Sequence, residues 1–167
     1  ILHPHWQAEG IAGITLRTHL DFVLRRLHML MPGVRRVHVV HDAASHSCLV
    51  EEAQRAATRL RLDLFIHTVS NAPAARVRAY RALLDQGLTR HDAVWLCEDR
   101  VGSEQDLILA MLLEAAWDNG PVVFSDYPAH ARRGALFALL PNYTQLGSRL
   151  AQMAWLRVQR KTPAEII

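Results

Sequence analysis

Three polar stretches carry the residue types that bind or transform small molecules. They are His41-Asp42-Ala43-Ala44-Ser45-His46-Ser47, Glu98-Asp99-Arg100-Val101-Gly102 and Ser125-Asp126-Tyr127. Each follows a short apolar run. Several chemistries can be tested against them. Dinucleotide binding needs glycines after the first strand so that backbone can approach a pyrophosphate, and His41 to Ser47 contains none. A phosphoacceptor would pair Asp42 and Asp99 with a lysine near the last strand, but Lys161 is the only lysine in the chain. His38, His41 and His46 with Asp42 have zinc-ligand chemistry, yet residues three apart on a strand point to opposite faces, so His38 and His41 do not share an ion. His3 and His5 have no carboxylate or thiol nearby to complete a metal set. Ser45, Ser47 or Cys97 would need a base within reach to act as a nucleophile. Glu98 and Asp99 beside Cys97 raise a thiol's pKa instead of lowering it. No catalytic constellation emerges, and no metal or cofactor is implied.

The elements that must position these stretches follow from periodicity. After an aperiodic opening, Thr18 is placed to cap a helix through Leu20, Val23, Leu24, Leu27 and Leu30, which Pro32-Gly33 ends. Strand-then-helix units follow: Val34 to Val40 with Cys48 to Leu60, Leu62 to Val69 with Pro73 to Leu84, and Ala93 to Cys97 with a helix through Leu107, Met111 and Ala115. A fourth strand runs from Pro121 to Phe124. A second extended run, Ala135 to Leu140, precedes a closing helix from about Tyr143. Strands with little alternation, each followed by a helix, predict an α/β fold of three layers, with a mainly parallel sheet covered on both faces. In such sheets the site lies at the carboxyl ends of the strands, where the three polar stretches fall. The organisation expected is a connecting segment over 1–17, an α/β lobe over 18–141, and a closing helix and tail over 142–167.

Composition sets the outer bounds. The 167 residues are half hydrophobic, with a mean hydropathy of +0.02, enough for one substantial core. Lys and Arg total 19 against 16 acidic residues, and the arginines are scattered, as on solvated helix faces and unlike a nucleic-acid stripe. No apolar run is long enough to span a membrane, and no leader is visible. The chain begins at Ile1, so an upstream segment is expected. Cys48 and Cys97 define no disulfide framework and are expected to be free.

The stretches Gly13 to Asp42, Gly120 to Ala154 and Arg160 to Ile167 together resemble the second lobe and closing helix of ABC-transporter substrate-binding proteins of the type I periplasmic fold, in the branch with tryptophan- and tyrosine-binding members. The resemblance lies in order and spacing. A helix leads into the first strand; Phe124-Ser125-Asp126 ends the fourth; Arg132-Arg133-Gly134-Ala135-Leu136 follows; Asn142-Tyr143 and Leu146-Gly147 open a helix; Pro163-Ala164-Glu165-Ile166 closes. It implies a flavodoxin-like lobe of a two-lobed, non-enzymatic binding protein that closes on an amino acid or similar polar metabolite. It also implies a missing first lobe, a periplasmic location and a membrane permease as partner. The ligand-facing residues it implies are Ser45, His46 and Ser47, then Glu98, Asp99 and Arg100, then Ser125, Asp126 and Tyr127. A carboxylate such as Asp126 suits an ammonium, and the amides near Ser45 to Cys48 suit a carboxylate. In the family the closing helix packs on the first lobe. Here its apolar face is expected to pack on a second copy, as a homodimer. The alternative reading is a sensory or regulatory domain that reuses the lobe for signalling.

Overall fold

A computed structural model of the chain describes residues 14, 19–42, 47–70, 72–97, 103–117, 119–139 and 142–159; for 42, 47–50 and 103 it describes the backbone alone. The elements are α1 (Leu20–Leu30), β1 (Arg36–Asp42), α2 (Ser47–Leu60), β2 (Asp63–Val69), α3 (Pro73–Leu84), β3 (Asp92–Leu96), α4 (Ser103–Trp117), β4 (Val122–Ser125), α5 (Pro128–Arg132) and α6 (Tyr143–Val158). The compact unit 19–140 holds everything from α1 to α5, and α6 belongs to a second unit.

The four strands form one sheet in the order β2-β1-β3-β4, every pairing parallel. Because β1 lies inside and the chain leaves it first to one side and then to the other, the switch in strand order falls between β1 and β3. Period-two alternation sorts the sheet residues onto two faces. Val37, Val39, Ala93, Trp95 and Phe124 face α1 and α2, meeting Leu20, Val23, Leu24, Leu27, Ala53, Ala56 and Ala57. Val40, Val94, Leu96 and Val123 face α3 and α4, meeting Tyr80, Leu83, Ile108, Leu109 and Leu112. This is the three-layer α/β arrangement expected from the apolar runs. The small alanines of α2 let that helix approach the sheet, and the parallel stack Trp95–Phe124–Phe137, with centroids 6.2 and 5.4 Å apart, fills the space beside it.

The ends of the elements differ in detail from expectation. The cap of α1 is His19 and not Thr18, and its side chain makes no capping bond. The first amide, Leu20 N–H, donates instead to Glu52 Oε1 of α2 at 3.0 Å, so tertiary packing supplies the cap. Asp21 adds a second tie between these helices, accepting from Arg59 at 2.8 Å and from Arg25 one turn on. Gly120 is required at the entry to β4: a Cβ there would stand 1.8 Å from Ala115 O.

The largest departure follows β4. Pro128 opens the five-residue helix α5, which the apolar pattern of the segment gave no reason to expect. Gly134, at φ +123°, then turns the chain back. The segment expected as an extended run does return along β4, with Leu136 N–H donating to Val123 O and Ser125 N–H to Phe137 O. Among the described residues it forms the single bridge Ser125–Ala138, and Phe137 turns inward onto Phe124.

Helix α6 opens on Asn142, whose side-chain oxygen accepts from Gln145 N–H at 3.0 Å. None of its residues is buried, and Tyr143, Leu150, Trp155 and Val158 are exposed. Among the described residues no helix is long and apolar enough to cross a membrane.

Candidate functional site at the carboxyl edge of the sheet

At the end of β4, Ser125 is fully buried and its hydroxyl is used to capacity. Oγ lies 2.9 Å from Leu96 O, 2.8 Å from His130 Nδ1 and 3.0 Å from Tyr127 N. A hydroxyl has one proton and two lone pairs. Leu96 O can only accept and Tyr127 N–H can only donate. Ser125 O–H therefore donates to Leu96, and His130 Nδ1 carries the proton that it donates to Ser125. This assignment satisfies all four groups. Burial, together with the nearby Arg133 guanidinium, pushes the His130 pKa below its ordinary value, with Asp106 opposing. His130 in turn packs edge-on against the Tyr127 ring, at 5.2 Å and 86°. The strand end, the loop and α5 are thereby fixed as one unit, leaving Asp126 and Tyr127 half-buried at the rim.

Across the sheet, the same edge carries a row of polar side chains on the α1/α2 face. His41 is paired in register with Thr68, and His41 Nε2 stands 3.4 Å from Thr68 Oγ1. Cys97 follows β3 directly, and its thiol donates to Asp126 Oδ2 at 3.8 Å. Cys97 is half-buried and not in a disulfide. Thr68, His41, Cys97 and Asp126 thus come one from each strand end.

Of the residues expected to face a ligand, the structure describes Ser125, Asp126 and Tyr127 together at this edge, and the backbone of Ser47 as the first residue of α2. Ser45, His46, Glu98, Asp99 and Arg100 lie outside the described residues. His41, Thr68, Cys97 and His130 were not singled out as ligand-facing. The parity of His41, Cys97 and Asp126 along their strands becomes informative only once the register between strands is known.

The amino-terminal half of the sheet carries a separate cluster on the α3/α4 face. Asp92, fully buried, is held by Arg36 through two bonds, Nε to Oδ1 at 2.6 Å and Nη2 to Oδ2 at 2.8 Å. Thr89 gives it an amide bond at 2.8 Å and a hydroxyl bond at 2.9 Å, and His38 Nε2 lies 3.3 Å from Oδ1. Burial alone would raise the Asp92 pKa; the Thr89, His38 and Arg36 donors outweigh it and hold the carboxyl below its ordinary range. His38 Nδ1 is 3.3 Å from His67 Nε2, and the His38 ring lies nearly parallel to those of His67 and Phe65. Since Asp92 takes the proton on Nε2, His38 Nδ1 accepts from His67. Burial lowers the pKa of His38, with Asp92 opposing, and burial also lowers that of His67, with His38 adding to it. His38 and His41 point to opposite faces, as their spacing requires.

No family model matches this chain, and no curated protein matches it. Solved structures do. A conserved domain protein from Vibrio cholerae superposes with a TM-score of 0.63 at 17% identity, and the ligand-free, open structure of a substrate-binding protein with adhesive properties from Clostridium difficile with a TM-score of 0.67 at 15% identity. Each match covers 93% of this chain and 52% of the other, so the chain spans about half the length of these neighbours. At such identities the likeness is one of fold alone.

Proposed function

We propose that this chain is a non-enzymatic small-molecule binding module whose ligand, an amino acid or a similar polar metabolite, sits at the carboxyl edge of the sheet. The observation that carries the reading is the Ser125–His130 lock, which holds Asp126 and Tyr127 in fixed positions on the same carboxyl edge as the switch in strand order, where parallel sheets bind ligands. Asp126 is suited to an ammonium group and Tyr127 to an apolar or aromatic portion. The likeness to a substrate-binding protein supports the same reading. With it come an extracytoplasmic location, a first lobe that completes the cleft, and a membrane permease as partner. Ser45, His46, Ser47, Glu98, Asp99 and Arg100 complete the rim in this proposal.

A thermal-shift screen against amino acids, nucleosides and small acids tests it, because a ligand that binds only the folded state raises its apparent stability. A compound that raises the midpoint for the parent and not for Asp126→Ala supports the assignment. A screen without any shift removes it.

A second reading, a sensory or regulatory domain acting through dimer contacts, is favoured by α6, which exposes Leu150, Trp155 and Val158. Sedimentation at tens of micromolar decides: a monomer overturns the homodimer.

A further inference from the structure

Two buried polar atoms on one face of the sheet lack hydrogen-bond partners, and both lie at the carboxyl edge. They are His41 Nδ1 and Trp95 Nε1. Trp95 is 3% exposed. Both residues stand on the α1/α2 face of neighbouring strands. Val39 pairs in register with Trp95, and His41 is two residues further along β1, so the two side chains are diagonal neighbours, a separation that aromatic side chains span. Leaving such a group unpaired away from water is costly, so the fold retains two unmet polar groups on one face of neighbouring strands, towards the edge where parallel sheets bind ligands.

We propose that these two nitrogens form a subsite for a carboxylate oxygen. An indole N–H can only donate, so the missing atom is an acceptor. When the Thr68 hydroxyl donates to His41 Nε2, His41 Nδ1 carries a proton as well and becomes the second donor. The 14-residue helix α2 packs on this same face through Ala53, Ala56 and Ala57 and begins just beyond β1, so its amino end adds a favourable field for an anion. Along the same row, Cys97 and Asp126 bring a carboxylate, which repels an anion and attracts an ammonium. Donors on one side and a carboxylate on the other match the two charged ends of an α-amino acid. The matching group is an acceptor and not a cation, because a nitrogen that carries a proton offers no lone pair to a metal. This inference rests on the small-molecule reading above and assigns which end of the ligand goes where.

The test uses the indole ¹⁵N–¹H resonance of Trp95, identified by its disappearance in Trp95→Phe, a variant that keeps an aromatic ring and deletes the donor. The parent is titrated with sodium acetate and with the twenty L-amino acids, and any binder is compared with its carboxamide. The expected results are a shift of this resonance with acetate and with the amino acid, affinity for that amino acid at least about tenfold weaker in Trp95→Phe, and weaker binding of the carboxamide. An unmoved resonance or undiminished affinity in the variant each overturns the subsite. A shift with acetate and with no amino acid keeps the carboxylate subsite and removes the amino-acid reading.

Discussion

Ser125 Oγ and His130 Nδ1, 2.8 Å apart and both buried, tie the last strand of the sheet to the short helix that follows its loop. The hydroxyl also holds Leu96 O and Tyr127 N–H. Ser125→Ala deletes the common partner of three polar groups in a buried place. The expected destabilisation is about 2–3 kcal/mol by urea denaturation. A cost below about 0.5 kcal/mol would mean that the three groups find other partners, and the lock would not be the element that fixes the loop.

Asp92→Ala should be more damaging than Arg36→Ala, although the two are partners. Asp92 is buried and answers donors from Arg36, Thr89 and His38, so its loss strands His38 and the Thr89 amide; about 3–4 kcal/mol is expected. Arg36→Ala leaves the buried Asp92 carboxylate without its cation but with the Thr89 and His38 donors in place, so a smaller cost of about 2 kcal/mol is expected. Equal costs in denaturant titrations would contradict this asymmetry.

The imidazoles give the fold a definite acid response. His38, His67 and His130 have pKa values lowered in the fold, so the unfolded chain takes up their protons first as pH falls. Their contribution is complete above the ordinary histidine value of about 6.5 and is lost as pH drops through the folded values. The carboxyl of Asp92, also lowered, adds a second loss below about pH 4. Denaturant midpoints should therefore be flat from pH 7 to 8 and fall below about 6.5. Each histidine contributes at most about 1.4 kcal/mol per pH unit. His67→Phe should make the first decline shallower, and an unchanged slope would rule His67 out as a contributor.

Gly120→Ala and Gly87→Ala separate space from backbone conformation. At Gly120 the added Cβ meets the Ala115 carbonyl, so the entry to β4 must move, at more than about 3 kcal/mol. At Gly87 a Cβ meets nothing, and the cost is that of φ +74° for an L-residue, about 1 kcal/mol. Thermal midpoints of the two variants should rank in that order.

The layers were legible in the sequence because strands buried on both faces, such as Ala93 to Leu96, have to read as unbroken apolar runs. The helices α1 to α4 announced themselves through leucines and alanines three and four apart. What stayed hidden was whatever depends on two strands meeting. His38 carried no mark of its bond to Asp92, 54 residues away, nor His41 of its bond to Thr68. The helix α5 is too short for a periodic pattern, and its position is fixed by His130 reaching back to Ser125. The capping of α1 was misplaced for a similar reason: the acceptor is on another helix.

Strand β1 sits between two partners of very different age on the growing chain. Its bonds to β2 join residues 27 apart, whereas its bonds to β3 join residues 56 apart. During synthesis the first edge can close as soon as β2 has left the ribosome, and the second must wait for α3 and β3. Until then the side of β1 that carries the β3 pairing has no strand to meet, and closing the longer separation costs more chain entropy. The order of strands that creates the switch point also makes the arrival of β3 the event that commits the chain to its fold.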